Sequence, residues 1–453
     1  MRFVKLGAIV AAAAAVAGVV AGCSGSSGDS ASKTVNWWTW DDKQAAAYQL
    51  CANAFEKANP GVTVKISQYN VEDYFTKLTA GFVAGDAPDA FQNSVQYFQS
   101  YAGQNQLLDL DPYIKSSNLN LSQYSVGVDA WKFTDGKQYG LPLDWAAEGI
   151  YYNKGMLTQA GFTEQDVQNL NWNPRDGGTF DKMVAHLTVD KNGKRGDQPG
   201  FDKNNVATYG IGVMNSGDFI GQFTWNEFAS STGWTLGNKS NWPTQFNYTD
   251  PRFVQTMDYI RSLSDRGFAP PPNTIVSGNG EQTISNQDLM GSGKVAMETD
   301  GSWEASAYAK IPNTQVGIAP TVLGPTGKRA VLSNSNGNVI WAGTKNPDLA
   351  WKWVSYMGSQ DCQTMAGASG TFFPSIPASM TNTAKAMAKQ GVDLSVFTDE
   401  EKNHELFTAS DYANGAALQT TLVPLFEAYF SHQKNDDFWP SVQQQADQLL
   451  TKS

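Results

Sequence analysis

Three short segments set an indole beside carboxyl groups: Trp40-Asp41-Asp42, Asp144-Trp145 with Glu148 three residues on, and Trp303-Glu304. An indole offers a flat apolar face, and an ionised carboxylate accepts strong, charge-assisted hydrogen bonds. A solute with a flat C–H face and a rim of hydroxyls, as in a pyranose ring, needs both. Three stacked rings at about 1 kcal/mol each and several hydrogen bonds at about 1 to 3 kcal/mol each approach the roughly 8 kcal/mol of micromolar affinity. The 43 acidic against 32 basic residues give a net charge of −11, which disfavours acidic solutes and nucleic acid.

Other chemistries find less support. His186, His404 and His432 are scattered, and no His-x-x-x-His or Cys-x-x-Cys pair occurs, so neither a metal nor a cofactor is expected. The segment Asn192–Asp197 lacks the spacing and closing Glu of a calcium loop. Two of the carboxylates could serve a glycoside hydrolase as acid and nucleophile or base. Chance pairs abound among 43 acids, however, and no segment resembles a hydrolase signature. Cys51 and Cys362 can form a disulfide or remain two small buried thiols, and the sequence leaves both readings open.

The first 22 residues read as a secretory signal. Arg2 and Lys5 precede a mostly apolar run from Leu6 to Val20, shorter than the roughly 20 residues that span a bilayer. Ala21-Gly22-Cys23 resembles a bacterial lipobox, which makes Cys23 a lipidation site and the protein extracytoplasmic, anchored to the membrane. Residues 23–33 are rich in Ser and Gly and read as a flexible tether.

The elements that must position these groups start with a strand at Thr34–Trp40, a helical face through Ala45, Tyr48, Ala52 and Phe55, and a second strand at Val62–Ile66. Strand alternating with helix implies an α/β fold with a parallel sheet, whose ligands sit outside the carboxyl ends of the strands. That rule adds Tyr69, Asn93 and Gln96 to Trp40, Asp41 and Asp42 as binding candidates. Trp225, Asn336 and Phe372 are further candidates for the cleft, whereas Trp37, Trp38 and Trp353 read as core. Asn169–Asn205 reads as a long surface loop, and Asn346-Pro347 as the start of a helix.

Several blocks then carry a resemblance: Phe55-Glu56-Lys57-Ala58-Asn59-Pro60-Gly61, Ala84-Gly85-Asp86-Ala87-Pro88-Asp89-Ala90-Phe91, Gly140-Leu141-Pro142 with Ile150-Tyr151-Tyr152-Asn153-Lys154, Gly293-Lys294-Val295-Ala296-Met297 with Gly301-Ser302-Trp303, and Asn346-Pro347 with Ala350-Trp351. In order and spacing the chain resembles the solute-binding lipoproteins of bacterial ABC sugar importers, the group that includes maltose-binding protein. The resemblance implies a two-lobed periplasmic-binding-protein fold of type II. Mapped here, it assigns residues 34–143 and 303–361 to an N-lobe and 144–302 and 362–453 to a C-lobe. Crossings are expected near Pro142–Ala146, near Glu298–Trp303 and past Met357. It also implies a monomer that captures a neutral sugar, most simply an oligosaccharide, and hands it unaltered to a membrane permease. The same fold could serve a peptide or polyamine instead. The family pattern says nothing of residues 172–242.

Overall fold

The computed structural model describes residues 33–451, apart from 215–217, 223, 241, 273–284, 371 and 409–411. The signal segment, Cys23 and most of the tether lie outside the described residues.

The β-branched and aromatic run Thr34–Thr39 forms β1, which pairs in parallel with β2 (Thr63–Gln68) and β3 (Ala90–Ser94). Helix α1 (Asp42–Ala58) connects the first two, capped by the Asp41 carboxylate on the backbone N–H of Gln44. Helix α2 (Val71–Ala84) leads to β3, with Asn70 capping its start and Gly85, at a φ of 76°, ending it. Helix α3 (Val95–Gly103) follows β3 directly. The sheet also takes in β4 (Gly140–Trp145).

A second sheet is built on β5 (Glu148–Asn153). A small antiparallel pair, β6 (Val189–Asp190) with β7 (Val206–Thr208), lies beside it in sequence. Then β8 (Met297–Gly301) and β9 (Val316–Ala319) flank β5, both antiparallel to it. Next, β10 (Val331–Ser333) leads straight into β11 (Ser335–Ile340), which returns to the first sheet between β3 and β4. Finally β12 (Leu406–Thr408) pairs in parallel with β10. The first sheet is therefore mixed, order β2-β1-β3-β11-β4, rather than wholly parallel, because β11 arrives from the opposite direction.

Three segments pass between the sheets and bond to one another. The Trp145 N–H donates to the Phe373 carbonyl at 3.0 Å, and the Ala146 N–H to the Asn334 carbonyl at 2.9 Å. The passages thus lie at 145–148, at 333–335 and around 372–373. The expected crossing near Glu298–Trp303 is not one of them. Ser302 donates its N–H to the Ala147 carbonyl, and the chain turns back through Ala305–Tyr308 to supply β9 beside β5. Residues 303–333 accordingly stay with the second sheet. Helix Gln360–Gly367 instead lies against α1, joined to it by the Cys51–Cys362 disulfide, with Cα atoms 5.2 Å apart.

Residues 169–205 are more than a surface loop. They contain the helix Gly178–Leu187, whose Phe180, Met183, Val184 and Leu187 enter a large core with Trp172, Trp225 and Trp234. Trp37 and Trp353 are fully buried, while Trp38 is half-buried against Tyr69. Helix Pro347–Met357 starts where Asn346-Pro347 places it, although the Asn346 side chain makes no capping bond.

Candidate functional site

The three passages border a cavity of about 1110 Å³, at or above the roughly 300–1,000 Å³ usual for small-molecule sites. Its first wall comes from the carboxyl end of β1, the starts of α1 and α3, and one face of α2 along its length. The passages supply its floor, and its second wall comes from segments that pack with the second sheet.

Of the residues singled out by sequence, Trp40, Asp41, Asp144, Trp145, Trp303, Asn336 and Phe372 line this cavity. Trp40 is half-buried, held edge-on by Tyr74 with ring centroids 5.2 Å apart. Asp41 both caps α1 and borders the cavity. Trp145 is only 1% exposed: its indole N–H donates to the Pro374 carbonyl at 3.0 Å, and its ring meets Phe373 edge-on. It therefore braces the passages and leaves almost none of its surface open to the cavity. Phe372 stacks on Tyr48 at 5.2 Å.

Asp144 is the most constrained of the acids. One carboxylate oxygen accepts from the Asn336 backbone N–H at 3.3 Å and from its side-chain amide at 2.9 Å; the other accepts from Gln44 Nε2 at 3.3 Å. Gln44 is oriented in turn by Gln92, whose Nε2 donates to Gln44 Oε1 at 2.8 Å, and Thr39 donates to Gln92 Oε1. Burial pushes the Asp144 carboxyl up to about 7, opposed by the hydrogen bonds from Asn336 and Gln44 and reinforced by the nearby Asp41.

The remaining candidates lie elsewhere. Asp42 is exposed at the first turn of α1, outside the cavity. Tyr69 follows β2 and packs edge-on against Trp38 rather than lining the cavity. Asn93 is fully buried; strand alternation turns it to the face opposite Gln92, and its side-chain oxygen takes the Ser94 N–H. Of Gln96 only the backbone, in α3, is described. Glu148 opens β5 and is buried beside Glu227 and Thr321, beyond the passages. Trp225 is fully buried, stacked on Phe426 and edge-on to Phe253. Glu304 sits one residue past Trp303, held by Gln287 Nε2 at 2.8 Å; burial raises its carboxyl above the usual range.

The cavity also gathers residues that the sequence reading passed over: Gln44, Phe75, Tyr97, Phe219, Gln222, Tyr412 and Gln419. Phe75 and Tyr97 form a parallel stack with centroids 3.7 Å apart. Gln44 left a trace in sequence, since it heads the otherwise apolar stripe Gln44, Tyr48, Cys51, Ala52 and Phe55 of α1, and a polar side chain on a buried face needs a partner. Phe219 and Tyr412 come from segments whose placement no local pattern reveals.

Comparison with known proteins agrees with this architecture. The chain is 26% identical over 303 residues to the maltodextrin-binding protein MdxE of Bacillus subtilis, a match covering 67% of this chain and 64% of that one. UspC of Mycobacterium tuberculosis superposes with a TM-score of 0.74 at 25% identity, covering 92% of this chain and all of that one. An ABC substrate-binding protein of Listeria monocytogenes, solved in complex with cycloalternan, superposes at 0.75 with 18% identity, covering 91% and 97%. The fold is that of the type II periplasmic binding proteins. Residues 51–446 match the bacterial extracellular solute-binding proteins, and the chain belongs to that family.

Proposed function

We propose that this protein captures a neutral sugar of oligosaccharide size outside the cell and delivers it, unaltered, to the permease of an ABC importer. The observation that carries the reading is the cavity between the sheets, where Trp40 and Trp303 stand with Asp41, Asp144 and Asn336. Indole faces and oriented carboxylate and amide acceptors form the combination that a hydroxylated ring requires. The relatives point the same way, one named for maltodextrin and one solved with cycloalternan.

In this reading the two lobes are residues 34–144 with 335–371, and 148–333 with 374–451, and the three passages form the hinge. Closure on the sugar is what the permease recognises, a population shift driven by contacts made only when both walls meet the ligand. Cys23 carries the lipid anchor, the Ser/Gly tether lets the body reach the permease, and the protein works as a monomer that binds without turnover.

The test is replacement of the two half-buried indoles. Trp40→Ala and Trp303→Ala should each weaken oligosaccharide binding by about 1 kcal/mol or more, read by calorimetric titration against wild type. Unchanged affinity in both variants would remove the indoles from the site.

A further inference from the structure

The cavity has two chemically different ends. Towards the passages it is polar, with Asp41, Gln44, Asp144, Asn334 and Asn336. The wall supplied by α2 is not.

Val71, Phe75, Thr76, Thr79, Ala80, Val83 and Ala84 face the cavity, a continuous stripe at helical spacing along the whole of α2. Thr79 Oγ1 donates its proton to the Phe75 carbonyl at 2.9 Å, back into the helix. The charged side chains described on this helix point elsewhere. Lys77 lies over the Tyr69 ring, and Asp73 is bonded to Asn70 at the helix start. The opposite face of α2 is already spent on the core through Tyr74 and Leu78, and through Gly81, which packs closely on Ala87. The helix is thus apolar on two faces, and its second stripe is exposed: Val83 is 88% and Val71 41% accessible. From the far wall Phe219 and Ile220 face the cavity, with the polar Gln222, Tyr412 and Gln419 beside them.

Stacking on a sugar ring calls for flat aromatic planes, and branched aliphatic side chains give a hydroxyl no partner. The aliphatic members of the stripe that stand open to solvent, Val71, Ala80, Val83 and Ala84, instead mark a surface that an apolar group covers. Resting on the sugar-binding reading above, we infer that the ligand is a glycoside with an apolar substituent, its hydroxylated end seated at Asp144 and its apolar arm laid along α2 and Phe219–Ile220.

Matched methyl and octyl glycosides of glucose, galactose and mannose, kept below micellar concentration, test this by calorimetric titration. In at least one pair the octyl compound should bind about tenfold or more tightly. In Ala80→Asp and Val83→Asp, both at exposed positions, that octyl-to-methyl ratio should collapse towards one. Binding of methyl glycosides or free oligosaccharides with no octyl advantage overturns this inference and leaves the sugar reading standing, as does an octyl advantage that survives both substitutions. Octyl binding that is indifferent to the sugar and displaced by octanol overturns the polar-end assignment instead. Silence from every compound in both series overturns both.

Discussion

Asp144 concentrates the chemistry of the cavity in one side chain. Its oxygens already take three protein hydrogen bonds, and it still borders the open space, so it presents an oriented acceptor to a ligand hydroxyl. Because burial brings its carboxyl to about 7, the group changes charge across neutral pH. The ionised form is the stronger acceptor, so a hydroxyl donor favours deprotonation. Affinity for the sugar should therefore rise as pH goes from 6 to 8 and level off above that window. Asp144→Asn should bind more weakly at pH 8 and lose this dependence, measured by titration at several pH values; a wild-type profile flat over the window would deny Asp144 the role. Trp145 is a different case. Buried behind Phe373 and Pro374, it holds the passages together, so Trp145→Ala reports on packing as much as on binding.

At the scale of elements, the disulfide links α1 to the helix Gln360–Gly367 and thereby fixes the last passage to the first sheet. A bridge closing so long a loop contributes about 4–5 kcal/mol by restricting the unfolded chain. Cys51→Ser should lower unfolding stability by about that amount in urea titrations, and reductant should do the same to wild type while leaving the variant unchanged. Equal stability of the two proteins would show the bridge to be idle. The local units were legible in sequence for a physical reason: α1, α2 and the strands beside them announce themselves by periodicity and by capping residues within a few positions. The middle passage, at 333–335, was not, because β11 reaches the first sheet through pairing with β3, more than 200 residues earlier, and no local pattern encodes that register. The same limit misplaced residues 303–333. At the site, residues adjoining strand ends or passages, such as Trp40, Asp144 and Asn336, could be named from topology. Tyr69 could not be discarded without knowing that its ring turns onto Trp38.

For the molecule as a whole, the two larger sheets have separate cores and are joined by three short passages, and the cavity lies where both parts contribute walls. Phe133, which packs with the first sheet, also meets Trp242 edge-on at 5.4 Å. A ligand that bridges the walls stabilises the closed arrangement by whatever affinity it gains there and nowhere else. The most direct measurement is calorimetric titration of the mature protein with neutral oligosaccharides alongside peptides and polyamines, followed by chromatography of the sugar. Saturable, roughly micromolar binding of a neutral oligosaccharide is expected, with the sugar then recovered uncut. Saturation by a peptide or polyamine with every oligosaccharide silent, or recovery of cleaved sugar, would contradict the proposed function.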